Sequence, residues 1–297
     1  MSSRLNTLSG FAAMALWSCT AALSRSLTEQ LGTFTAAFAV YFGAGLLSLL
    51  LCAVRPGKLR AMFQLPRLYL GVCGGLFCLY MIAFYAALGR ASDRPAAVVA
   101  SMINYLWPAL TLAFSIPILK QRARWTLWPG IGLALSGIIL VLWQSGNAGS
   151  LAHLRANWLP YLCAALAAVS WGLYSNFSKR FAGGPGGAVP LFMFCAGLAL
   201  GILRLCVREE SHWSAAAARE LAVVIVFPAT LGYTLWDRGV RGGDVVLLAA
   251  TSYFIPLAST VIISVYLGVP IGAEVWFGCL LVAAGALVCK YSMASPA

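Results

Sequence analysis

Ten apolar stretches, most of them long enough to cross a bilayer as a helix, follow one another along almost the whole chain. They cover residues 7–27, 33–54, 68–88, 95–119, 125–143, 158–176, 189–207, 221–236, 245–267 and 274–291, each bounded by charges, Gly/Pro or polar clusters. A hydrocarbon core of about 30 Å takes roughly 20 residues of α-helix. The eighth stretch is the shortest and carries Pro228. A membrane β-barrel would show segments of about ten residues alternating in polarity, whereas these runs are continuous. With 61% hydrophobic and only 9% charged residues, the chain also lacks the polar surface that a water-soluble globule of 297 residues needs. The expectation is an all-α integral membrane protein with ten transmembrane helices and no separate soluble domain.

The charges orient these spans. Thirteen of the 20 Lys and Arg residues fall at the N-terminus, in alternate loops or at the last span's end: Arg4, Arg55, Lys58, Arg60, Arg67, Lys120, Arg122, Arg124, Lys179, Arg180, Arg238, Arg241 and Lys290. Cytoplasmic loops collect such residues, so both termini are expected in the cytoplasm. Six of the eight acids, Glu29, Asp93, Glu209, Glu210, Glu220 and Glu274, lie on the other side. The formal charge of +12 therefore sits mainly on one face, where it suits anionic lipid headgroups better than nucleic acid. The run after Arg4 is longer than a signal-peptide core and is read as a retained first helix. The C-terminal KYSMASPA carries no lipidation motif.

The chain also reads as two copies of one unit, residues 1–147 and 148–297. A shift of 154 lays Trp17 on Trp171, Ser24 on Ser178, Arg25 on Lys179, Phe38 on Phe192 and Gly43 on Gly197. A shift of 148 then lays Tyr85 on Tyr233, Tyr105 on Tyr253, Pro108 on Pro256, Gly130 on Gly278 and Gly137 on Gly285. The matches concentrate in Trp, Tyr, Pro, Gly and basic residues, which exchange far less freely than Leu or Val. Five helices is an odd number, so the second copy enters the membrane from the opposite face. Two inverted five-helix repeats around a central cavity are an architecture of alternating-access transporters, with the site near the midplane.

Polar and aromatic residues inside the spans mark candidates for that site. In NYLWP and SYFIP, Pro108 and Pro256 each remove a backbone donor and bend the helix, freeing the carbonyls of Asn104 and Ser252. A freed carbonyl facing lipid costs several kcal/mol, so these bends are expected to face protein or a wet cavity, together with Tyr105 and Tyr253. Ala13, Trp17, Thr20 and Ser24 lie on one helical stripe, and Ala167, Trp171, Tyr174 and Ser178 repeat it. Trp17 and Trp171 fall near mid-span, away from the interfaces where Trp usually anchors; core packing is the other explanation. Tyr80 and Phe84 on the third span and Tyr233 on the eighth complete a candidate set rich in rings. Arg25 and Lys179, at span ends, either guide substrate toward the cavity or snorkel to headgroups.

What the spans lack narrows the chemistry. No Asp or Glu lies well inside any of them; Asp237 and Glu274 are at ends. Carriers driven by protons commonly use a buried carboxylate, so facilitated, uncoupled transport is expected. A cationic drug would want a counter-charge and a strongly anionic substrate several buried Arg or Lys. A zwitterion with an apolar side chain fits better, its ammonium meeting carbonyls and ring faces at up to about 2 kcal/mol each. The nine cysteines lie in apolar runs and His153 and His212 in loops, so neither metal, disulfide nor cofactor is expected. No buried Ser with His or Lys, Asp pair or HExxH set is present for intramembrane hydrolysis. A channel could share the repeat; saturable, competitively inhibited flux separates the two. Nothing in the sequence demands more than a monomer.

With ten spans in two inverted copies, Trp17 in the first span, and NYLWPALTL and SYFIPLAST in the fourth and ninth, the chain resembles the drug/metabolite transporter superfamily and, within it, bacterial aromatic amino-acid exporters. The resemblance covers the whole length. It implies export of aromatic and other apolar amino acids across the inner membrane of a Gram-negative bacterium. Transport of other small metabolites or drugs is the alternative within the same superfamily. Many members carry a Glu just after the fourth and ninth spans, where this chain has Lys120 to Arg122 and Val269; the departure bears on proton coupling.

Overall fold

At three helix starts a side chain offers the free donors a partner. Asp93 accepts the Ala96 amide at 2.7 Å and Pro95 occupies the first turn of one helix; Ser214 accepts Ala217 N at 3.0 Å to start another. A third begins at Gly32, whose φ of 86° favours glycine, and there Glu209 takes the amides of Phe34 and Thr35 at 2.8 and 2.9 Å. A carboxylate at a helix N-terminus meets both free N–H groups and the positive end of the dipole.

The computed structural model describes residues 3–144, 151–181, 187–243, 248, 251–268 and 270–293. Its helices are α1 (Ser3–Trp17), α2 (Thr20–Leu31), α3 (Thr33–Ala53), the short α4 (Lys58–Phe63), α5 (Gly74–Gly89), α6 (Arg94–Asn104), α7 (Trp107–Leu119), α8 (Leu127–Gln144) and the short α9 (Leu151–Ala156). Then come α10 (Trp158–Phe181), α11 (Val189–Cys206), α12 (Ala215–Val224), α13 (Tyr233–Gly242), α14 (Ile255–Leu267) and α15 (Ala273–Ser292). Wider π-type turns lead into α5 (Tyr69–Cys73) and join α12 to α13 (Ile225–Gly232), so Pro228 sits in a continuous stretch. Among the described residues seven helical stretches are long and apolar enough to span a membrane, from Arg4–Leu31 to Ala273–Ser292. With α8, α10 and α14 they account for the ten apolar runs. The protein is an all-α, multi-pass membrane protein. The expected boundary between 147 and 148 lies outside the described residues.

The helices pack mainly across the two copies: α3 on α11, α8 on α15, α5 on α10, and α1 on α13. Glycines permit the closest crossings. A Cβ on Gly45 would overlap the backbone of Phe194, and one on Gly197 would overlap that of Phe42. Likewise Gly137 abuts the Gly278 carbonyl and Gly285 the Gly130 carbonyl. Small residues let membrane helices approach backbone to backbone. Each contact occurs twice with the copies exchanged, which is the mark of a two-fold axis. The α8/α15 contacts reproduce the shift of 148 read from the sequence. The α3/α11 contacts give 152 instead of 154, pairing Gly197 with Gly45 rather than Gly43. The two-residue difference escapes sequence comparison because both helices are uniformly apolar.

Candidate functional site

Three spans are interrupted midway, all beside one cavity. The first pauses at Ser18 and Cys19, between α1 and α2. The fourth pauses at Tyr105 and Leu106, where Tyr105 N bonds back to Ser101 O at 3.0 Å and Leu106 N to Ile103 O at 3.1 Å. The ninth tightens into a single 3-10 turn, Ser252–Phe254, before α14. Pro108 and Pro256 therefore do not kink a continuous helix, as the sequence suggests; each is the second residue of a new one. Proline fits the first turn of a helix, where its missing N–H leaves no bond unmade.

The cavity is lined by Trp17, Thr20, Ala21, Tyr80, Phe84, Ser101, Asn104, Tyr105, Trp107, Trp171, Tyr233 and Ile255. No charged side chain is in that lining. Trp17 and Trp171, equivalent in the two copies, meet edge to face with centroids 5.7 Å apart. Around them Trp17 contacts Tyr233 at 5.0 Å, and Trp171 contacts Tyr80 at 4.8 Å. Trp17 Nε1 donates to Pro228 O at 3.0 Å, fixing the indole. Asn104 is 5% exposed and its side chain neighbours the Tyr80 hydroxyl, yet its Oδ1 has no hydrogen-bond partner. Thr20 Oγ1, on the same lining, has none either. An unsatisfied buried oxygen costs roughly 1–3 kcal/mol, so two on one wall call for a partner.

Of the residues singled out in the sequence, Trp17, Tyr80, Phe84, Asn104, Tyr105, Trp171 and Tyr233 come together on this lining. Tyr174 does not: it packs behind the wall against Trp171, Phe77 and Phe192 at 5.0, 5.6 and 6.5 Å. Ser252 is buried outside the lining, and the Tyr253 side chain lies outside the described residues. Thr20, on the Trp17 stripe, joins that lining, and Trp107, within NYLWP, is an addition.

The two faces of the protein differ. On the face opposite the termini, Arg25 is buried, donating to Leu88 O at 2.6 Å and Ala91 O at 3.2 Å, and to Glu29 at 2.9 Å. It neither snorkels nor lines the cavity, because the carbonyls ending α5 lie within its reach. Glu29 also holds Arg94 at 2.8 Å, and Arg94 donates to Leu267 O at 2.6 Å. Glu220 accepts from Ser26, Gln30 and Tyr266 at 2.8, 3.0 and 2.7 Å. These bonds tie α2, α5, α6, α12 and α14 together. On the face of the termini, Lys179 is exposed beside a second cavity lined also by Lys290, Gln121, Thr111 and Trp236. Trp107 lines both cavities and stands perpendicular to Trp236 with centroids 5.9 Å apart.

A ring-lined cavity at broken helices, a hydrogen-bonded network on one face and a second cavity toward the other fit a membrane transporter built from inverted repeats. The chain matches the EamA-like transporter family over residues 5–143 and 158–290, once in each copy, and belongs to it. It is 34% identical to the aromatic amino acid exporter YddG of Ancylobacter novellus over 97% of this chain and 98% of that protein. It is 31% identical to YddG of Escherichia coli K12 (95% and 96%) and 32% to that of Salmonella typhimurium (97% and 98%). A crystal structure 27% identical superimposes with a TM-score of 0.72, covering 97% of this chain and 96% of that one.

Proposed function

We propose that the protein exports aromatic and other apolar amino acids across a bacterial inner membrane by alternating access, both termini being cytoplasmic. The observation that carries this reading is the central lining of indole and phenol rings with two unpartnered oxygens and no charge. Such a wall stabilises an apolar side chain by burial and a zwitterion's ammonium by ring faces, while offering a net ion no counter-charge. The relatives named as aromatic amino acid exporters support the same substrate class. The lining has no carboxylate to carry a proton, which supports facilitated rather than proton-driven transport. Trp17, Tyr80, Phe84, Asn104, Tyr105, Trp171 and Tyr233 bind the substrate. Under this reading the tied face is periplasmic, and substrate enters from the cytoplasm by way of the second cavity, which shares Trp107 with the first.

Counterflow of radiolabelled tryptophan, methionine and threonine in proteoliposomes, with and without a pH gradient, tests this. Tryptophan uptake should need no gradient and fall at least tenfold in Trp17→Ala and Tyr105→Ala, a loss of about 1.4 kcal/mol or more. No uptake of any of the three sinks the amino-acid assignment; uptake unchanged in both variants returns those rings to packing.

A further inference from the structure

The cavity lining is made largely of helix ends. Trp17 is the last residue of α1, and Thr20 and Ala21 are the first of α2; Asn104 is the last of α6, and Trp107 the first of α7; Ile255 is the first of α14. Thus three helices of 12, 13 and 13 residues start at the cavity. Two others end there. A helix start presents free N–H groups and roughly half a positive charge, and a helix end presents carbonyls and the opposite partial charge. Charged side chains are absent from the wall, so these ends and the polar side chains between them are what an ionic ligand meets. The independent sign of a ligand is Asn104, 5% exposed with Oδ1 unpartnered on that lining. An amide oxygen accepts but cannot donate, so its missing partner is a donor. Thr20 Oγ1, unpartnered at the first residue of α2, can donate.

We infer that the site reads both ends of an amino-acid zwitterion without a charged residue: the α-carboxylate lies at the starts of α2, α7 and α14 with Thr20 donating to it, and the α-ammonium donates to Asn104 Oδ1. This rests on the amino-acid reading above and adds its recognition rule. A ligand with only one of the two charges leaves half of the helix-end field unmatched and brings a net charge into an uncharged wall. The cavity therefore selects against aromatic amines and aromatic acids of the same shape.

The test is competition against radiolabelled phenylalanine bound to the purified full-length protein in detergent. The competitors are phenylalanine, phenethylamine, which lacks the carboxylate, and 3-phenylpropionate, which lacks the ammonium. Both truncated compounds should need at least tenfold higher concentrations than phenylalanine. Thr20→Val should weaken phenylalanine and 3-phenylpropionate about tenfold and leave phenethylamine unchanged, the loss of one hydrogen bond to a charged group. Thr20→Ser, which keeps the hydroxyl, should restore wild-type values. Asn104→Leu should weaken phenylalanine and phenethylamine and leave 3-phenylpropionate unchanged. Equal weakening of all three compounds in each variant, or phenethylamine matching phenylalanine on the wild type, overturns the inference while leaving the amino-acid reading intact. Absence of phenylalanine binding to the wild-type protein overturns both.

Discussion

Arg25 and Lys179 stand at the same place in the two copies, 154 residues apart, and their surroundings are opposite. Arg25 is 8% exposed, its guanidinium spent on two carbonyls and on Glu29. Lys179 is exposed at the rim of an open cavity, and its neighbour Arg180 donates to Ile118 O at 2.9 Å. The sequence already contains the difference: four residues beyond Arg25 is Glu29, and four beyond Lys179 is Gly183. In this structure one copy ties its basic residue into a network and the other leaves its own exposed. In the alternating access proposed above these roles exchange, and the exchange is not even-handed, since the second copy carries no carboxylate where the first has Glu29.

That contrast presumes two copies related by a two-fold axis at the α3/α11 crossing, and the largest expected effect attacks this point. Gly45→Ala and Gly197→Ala each drive a Cβ into the facing backbone, where no rotamer can yield. The cost should reach about 3 kcal/mol or more, and little monodisperse protein should survive extraction. Gly43→Ala meets only the tip of the Ile225 side chain and should extract like wild type. Size-exclusion yield decides between them. If Gly43 proves the intolerant position, the register of 154 is right and the axis drawn from the glycine contacts is wrong.

The next effect sharpens the contrast between the faces. Glu29→Gln leaves Arg25 and Arg94 without their shared carboxylate and weakens the tie to Leu267 O. For a half-exposed network the loss is about 1–2 kcal/mol, enough for roughly a tenfold rise in conformers open to the periplasm. A single cysteine at Ala21 on the cavity wall, in a background lacking the nine native cysteines, reports this through labelling by an impermeant thiol reagent in intact cells. Faster labelling in Glu29→Gln is the expected result. Labelling at the wild-type rate means that Glu29 stabilises the fold without governing access.

The spans and the inverted repeat were legible because they rest on run length and on residues that seldom interchange, such as Trp17 with Trp171 and Gly137 with Gly285. Seven residues of the cavity lining were legible for a related reason: a ring or amide in mid-span needs a partner other than lipid. The pause between α1 and α2 was not, because Ser18 and Cys19 carry no helix-breaking signal. Nor was Arg25, since hydropathy marks a basic residue at a span end without saying which carbonyls fold over it. Tyr174 shows the converse limit: its helical stripe is right, but α10 continues unbroken where α1 stops, and the side chain turns into the aromatic wall.

The smallest effect concerns a place where both copies adopt the same uncommon backbone with different residues. α7 ends at Lys120 with φ 54° and ψ 34°, and α14 ends at Gly268 with φ 64° and ψ 30°, 148 residues apart. Glycine takes this left-handed cap without strain, whereas a side chain there costs about 1 kcal/mol. Lys120→Gly should therefore stabilise the protein, less some gain in unfolded-chain entropy, by about 0.5 kcal/mol. Gly268→Lys should destabilise it by a similar amount or slightly more. Thermal midpoints in one detergent should move by about one or two degrees in opposite directions, and the double exchange should return close to wild type if the copies are equivalent here. A midpoint that falls in Lys120→Gly instead assigns the strained lysine a task on its face, beside Lys179 and Lys290, that the second copy does not perform.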